Sequence, residues 1–190
     1  HSMNKDGHVL NGALLAVGLG LILSVDPTSG PIVGGQSGEI TADAVLTLGS
    51  DVAGSIAALS LPVILGALFP DVDTAFGRHR TPLHNLPVLG IFLVFPYFFG
   101  NLQFVWIGVA THYVLDIVGS KRGIALWYPL SSSEYGFPTG VTTSSDWATR
   151  VTVVVTALEL FVLFLVHNYL VALDTPLSEA TTLLGALVGI

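Results

Sequence analysis

The stretch LFPDVDTAFGRHRTPLHN, residues 68–85, carries Asp71, Asp73, Arg78, His79, Arg80 and His84 in an otherwise apolar neighbourhood. Two more segments hold side chains of the same kind. His8 precedes a long apolar run, and THYVLD places His112 and Asp116 four residues apart, on one face of a helix. Imidazole and carboxylate are the usual ligands of zinc and related divalent ions where no thiolate is at hand, and the chain has no cysteine. That absence also excludes disulfides and cysteine nucleophiles. The candidate cluster is therefore His8, Asp71, Asp73, His79, His84, His112 and Asp116, enough for one metal site and much of a second. Histidine with aspartate suits zinc first; manganese, iron or nickel also fit.

The elements that must position these groups are membrane helices. Only 10% of residues are charged and 52% are apolar, with a mean hydropathy of +0.76. Soluble domains carry about 25% charged residues. The net charge of −7 argues against nucleic acid as the main partner. Residues 1–3 read as a tag remnant, leaving 4–190 as a single transmembrane helical domain. A span needs about 20 mostly apolar residues. Five segments qualify or come close: Val9–Val25, Val45–Phe69, Leu86–Phe99, Leu102–Val118 and Val151–Leu173. The expected fold is an all-α, multi-pass membrane bundle of about five helices. Gly100-Asn101 reads as the turn of a helical hairpin, and Pro62 is expected to kink the second segment. Gly12, Ala16 and Gly20 form a small-xxx-small ladder that permits close helix packing, within the chain or in an oligomer. Polar loops run over 26–44 and 119–150, and Leu177–Ile190 is too short to count as a further span.

With five alternating spans, all six basic residues (Lys5, Arg78, Arg80, Lys121, Arg122, Arg150) fall on one side of the membrane. The positive-inside rule makes that side cytoplasmic and puts the N-terminus inside. Trp127, Tyr128 and Trp147 sit at the same boundary, where interfacial aromatics are expected. The same alternation carries the seven candidate ligands to the cytoplasmic face. Taken singly, each has a simpler reading. His8 is a solvated residue before a helix; Asp71 and Asp73 end a helix after Pro70; His112 and Asp116 form an i,i+4 pair; Arg78 and Arg80 set topology. None of these explains why ligand-type groups share one side. Glu159 and His167 lie within the fifth span, where an ionisable group marks function by default. Glu159 is either a partner of a ligand histidine or a helix–helix hydrogen bond.

LFPDVD, HRTPLH and THYVLD, with an early Gly7-His8, resemble the YdjM-like family, described as LexA-regulated, inner-membrane metal-dependent hydrolases. That family is thought to be distantly related to the all-helical zinc-dependent phospholipase C and single-strand nuclease superfamily. The resemblance covers roughly residues 8 to 130. It implies metal ligands at His8, Asp73, His79, His84, His112 and Asp116, with Asp71 as a ligand or a ligand's partner. Where the family usually has Thr-His-Ser, this chain has Leu83-His84-Asn85, which keeps the histidine and loses both hydroxyls.

A divalent ion polarises a phosphoryl oxygen and lowers the pKa of its water to about 7. Asp71 is the expected catalytic base, and Arg80, with Arg78 and Lys121, the expected anchor for a substrate phosphate. A site at headgroup depth favours a lipid phosphoester over a soluble polymer. The expectation is thus a membrane-embedded, metal-dependent hydrolase with one or two ions, acting on a phospholipid or lipid-linked phosphate. Two rivals remain: a non-catalytic metal-binding membrane protein, and a transporter.

Overall fold

A computed structural model describes residues 5–24, 41–76, 80–138, 140–142 and 145–169. The expectations for loop 26–44 fall mostly outside these residues, and those for Leu177–Ile190 entirely so. The described chain is helical: α1 Lys5–Leu23, α2 Ala42–Leu68, a 3-10 segment Pro70–Phe76, α3 Leu86–Phe99, α4 Val105–Gly119 and α5 Ala148–Tyr169. Three stretches, Asp6–Leu23, Ala42–Ala75 and Ala148–Tyr169, are long and apolar enough to cross a membrane. The protein is a membrane helical bundle.

The short third and fourth segments are short helices. At 14 and 15 residues, α3 and α4 rise only about 21 to 22 Å, less than a hydrocarbon core of about 30 Å. They form a hairpin closed by Gly100, whose φ of 66° ends α3 in the left-handed conformation that glycine adopts without strain. A hairpin that returns to its own side leaves the alternation of the flanking segments unchanged. Asn85 caps α3 by accepting from Val88 N at 3.0 Å. Asparagine is among the best residues at that position.

Helix packing follows the small residues. α1 lies against α2 with Gly12 beside Ile64 and Ala67, and Gly20 beside Ile56. The glycine ladder of α1 is thus covered within the chain. α2 also meets α4 at a second glycine pair. A Cβ on Gly66 would fall 2.1 Å from Val105 O, and one on Gly108 would fall 2.0 Å from Val63 O. Only glycine allows these two backbones to touch. α2 runs unbroken through Pro62. The core between α1, α2 and α5 is Leu15, Ala16, Leu19, Leu59 and Val63, with Leu160 and Leu163 packed on it.

Residues 120–142 are not the plain polar loop that composition suggests. The chain folds back onto the hairpin, with Ile124 paired to Tyr135 and Ser120 to Val141. Ile124 is fully buried among Val105, Val109 and Tyr113, and Leu126 O accepts from Leu86 N at 2.9 Å. Gly123 makes this possible, since a Cβ there would lie 2.1 Å from Tyr135 O. This cap closes over the ends of α3 and α4 where the polar cluster sits.

Candidate metal centre

Four pieces of the chain meet here. α1 supplies His8, the 3-10 segment supplies Asp71 and Asp73, the turn before α3 supplies His84, and α4 supplies His112 and Asp116. All six are buried, with His8, Asp73, His84, His112 and Asp116 at 0% exposure. Six of the seven candidates thus converge. His79 and Arg78 lie outside the described residues.

The rings of His112 and His84 are each oriented by their second nitrogen. His112 Nδ1 lies 2.6 Å from Ala67 O, an acceptor only, so Nδ1 carries the proton. His84 Nδ1 lies 2.8 Å from Asp73 Oδ2 and donates to that carboxylate. In the neutral rings both Nε2 atoms then present lone pairs, and they face each other at 3.0 Å. Two lone pairs at that distance repel unless a cation lies between them. Burial lowers the His84 pKa below its ordinary value, against the opposing pull of Asp73, which favours the neutral ring.

Asp116 completes a triangle. Its Oδ2 lies 3.5 Å from His84 Nε2 and 3.6 Å from His112 Nε2. Metal–ligand bonds of 2.0–2.1 Å in a tetrahedral site set donor atoms about 3.3 Å apart. Edges of 3.0, 3.5 and 3.6 Å match that spacing. Oδ2 has no hydrogen-bond partner among the described residues, nor has either nitrogen of His8. Buried polar atoms are ordinarily paired, so these mark a place for a ligand. The residues therefore fit a divalent ion.

A second group joins His8, Asp71 and His112. Asp71 Oδ1 is 3.9 Å from His112 Nε2, His8 Nε2 is 3.8 Å from Asp116 Oδ1, and the rings of His8 and His112 stack at 3.8 Å. Both groups rely on the same Nε2 of His112, because its Nδ1 is held by Ala67. They describe one pocket with a shared histidine.

Asp73 acts differently from the other carboxylates. Its Oδ2 takes both His84 Nδ1 and Arg80 N, so it orients a ligand, as carboxylate partners of metal-binding histidines do. Arg80 departs further from expectation. It was expected to meet a phosphate in a headgroup-level site, yet it is 2% exposed and its guanidinium reaches Ser120, Arg122 O and Asp116. Lys121 is exposed beside Ser120.

Glu159 belongs to a neighbouring network. Its Oε2 accepts from Thr111 Oγ1 at 2.6 Å and Asn11 Nδ2 at 3.0 Å, which is the helix–helix hydrogen bond rather than a histidine partner. His167 is buried near the end of α5. Sequence reasoning missed Tyr113, whose hydroxyl donates to Leu83 O at 2.5 Å and accepts from Asn85 N at 3.2 Å, fixing the residues on both sides of His84. It also missed Ser120. Tyr113 follows a candidate ligand directly, but nothing local says that its hydroxyl reaches across to another turn.

The sequence profile of the YdjM inner membrane protein family matches residues 3–177. The chain belongs to that family. No curated protein and no solved structure matches it. Membership in the YdjM family agrees with the membrane bundle and with an inner-membrane location. The match runs past the cluster to include α5 and the cap over α3 and α4.

Proposed function

We propose that this YdjM-family protein is a membrane-embedded, metal-dependent hydrolase of a phospholipid or lipid-linked phosphoester, with its site toward the cytoplasm. The observation that carries the reading is the convergence of His84 Nε2 and His112 Nε2, 3.0 Å apart and closed into a triangle by Asp116 Oδ2. Zinc is the expected ion, with manganese or iron fitting the same donors. When bound, it supplies a polarised phosphoryl oxygen and a water of lowered pKa. Asp71, against His112 at the edge of the triangle, is assigned the proton from that water. His8 stacks on His112 and fixes its plane. Lys121, exposed beside Ser120, and Arg78 are the cations assigned to the substrate phosphate. The shared side of all six basic residues supports the cytoplasmic orientation.

The burial of every described donor favours one rival, a closed structural ion that ties α1, α4 and the 3-10 segment together. Turnover separates the two. Metal-loaded protein in phospholipid vesicles should release a phosphorylated headgroup or its diacylglycerol counterpart. Asp71→Asn should lower that rate by about 10²- to 10⁴-fold while the metal stays bound. Loaded protein that cleaves no lipid phosphoester would leave the structural ion as the better account.

A further inference from the structure

Arg80 is the largest of the fully buried side chains among the described residues, and its backbone sits at a φ of 70°, a conformation that few non-glycine residues adopt. The surroundings hold it there. Its N–H donates to Asp73 Oδ2 at 3.0 Å, and its carbonyl accepts from Ala125 N at 3.3 Å. The side chain then crosses to α4. Nη1 donates to Ser120 Oγ at 2.8 Å and to Arg122 O, and Nη2 donates to Asp116 Oδ1 at 3.2 Å. One residue therefore touches both arms of the donor triangle: His84 through Asp73, and Asp116 directly.

Two consequences follow from that placement. Asp116 Oδ1 is engaged by Arg80, so Oδ2 is the oxygen turned to His84 Nε2 and His112 Nε2. The donors also limit the site. Both candidate groups draw on the one Nε2 of His112, whose Nδ1 is held by Ala67. Arg80 itself stands against Asp116 where a second cation would gain most.

Resting on the metal reading above, we propose that Arg80 is a positioning residue that makes Asp116 a one-oxygen ligand and restricts the cluster to a single divalent ion. A guanidinium is suited to this because its planar fork serves Asp116 and the Ser120–Arg122 turn together, which an ammonium cannot do.

Cobalt(II) titration of detergent-purified, chelator-treated full-length protein tests the proposal. The readouts are stoichiometry, affinity and the visible absorption band, with wild type, Arg80→Lys and Ser120→Ala compared. Wild type should bind one cobalt per chain. Arg80→Lys should bind about 10- to 100-fold more weakly, the usual effect of losing a partner that orients a ligand. Its visible band should shift and weaken, because a released Asp116 offers both oxygens and raises the coordination number. Ser120→Ala, which removes the far anchor of the guanidinium, should move both readouts the same way by less. A merely structural role would leave the band of the saturated protein unchanged. Wild-type affinity and spectrum in a folded Arg80→Lys would overturn the role of Arg80, as would two cobalt ions bound by wild type with equal affinity. Should Arg80→Lys fail to fold, an unshifted Ser120→Ala would do the same. Wild type that binds no cobalt would instead sink the metal reading, and this inference with it.

Discussion

Two buried polar regions lie side by side in this bundle, and they share helices almost residue for residue. His8 and Asn11 are one turn apart on α1, and Thr111 and His112 are adjacent on α4. Around Asn11 every buried polar side-chain atom has a partner. Asn11 Nδ2 donates to Thr156 at 2.8 Å and to Glu159, and the one hydroxyl hydrogen of Thr111 is shared between Asn11 Oδ1 and Glu159 Oε2. Around His8 the contacts stop short. Both ring nitrogens of His8 and Oδ2 of Asp116 lack hydrogen-bond partners among the described residues, and the Nε2 atoms of His84 and His112 point at each other at 3.0 Å. A network that satisfies itself is helix–helix glue. One that leaves acceptors aimed at a common point is built around something else. Both carry ionisable groups in an apolar setting, so polarity alone does not tell them apart; completeness of pairing does.

That contrast can be broken at its base. Gly108→Val should push α2 from α4 and misplace both regions, since even a Cβ there meets Val63 O and Ala67 N. The expected result is loss of the folded bundle, read as aggregation on gel filtration in detergent. His112→Ala should separate the regions. Metal affinity should fall by more than about 100-fold, beyond the loss typical of an orienting partner. Thermal unfolding of the metal-free protein should change far less, because no closed hydrogen-bond network is lost with it. Asp73→Ala should weaken metal binding by about 10- to 100-fold, since His84 loses the acceptor that sets its tautomer. Asn11→Ala should do the reverse. It should cost about 0.6 to 1.7 kcal/mol in stability, the range for interhelical hydrogen bonds in membranes, with metal affinity unchanged by equilibrium titration. A drop in metal affinity on Asn11→Ala would show that the two regions are one.

Much of this was legible in the residues themselves. Hydropathy marks the helices, and the shortness of Leu86–Phe99 is visible as a short apolar run. Ligand-type chemistry on one side of an alternating topology gathers His8, Asp71, Asp73, His84, His112 and Asp116, because topology fixes which helix ends meet. What it does not fix is direction. Asp73 and Asp71 look alike in Pro-Asp-Val-Asp, yet Asp73 Oδ2 is the one turned back to His84 and Arg80. Arg80 looks like a phosphate anchor, and only its left-handed backbone turns it inward. No local pattern announces that conformation in an arginine. Single glycines at 66 and 108 are visible in the sequence, but their pairing is a property of the assembled helices. The cap at 120–142 reads as polar because its buried hydrophobic side chains among the described residues, Ile124 and Ala125, are few beside many exposed residues.

The most direct measurement is the metal content of protein purified in detergent without chelator, by elemental mass spectrometry, for wild type beside His84→Ala/His112→Ala. Wild type should carry about one equivalent of zinc or another transition metal, and the double variant none. Metal-free wild type that takes up neither zinc nor manganese would contradict the metal reading, and would mean that a shared proton reconciles the two facing nitrogens.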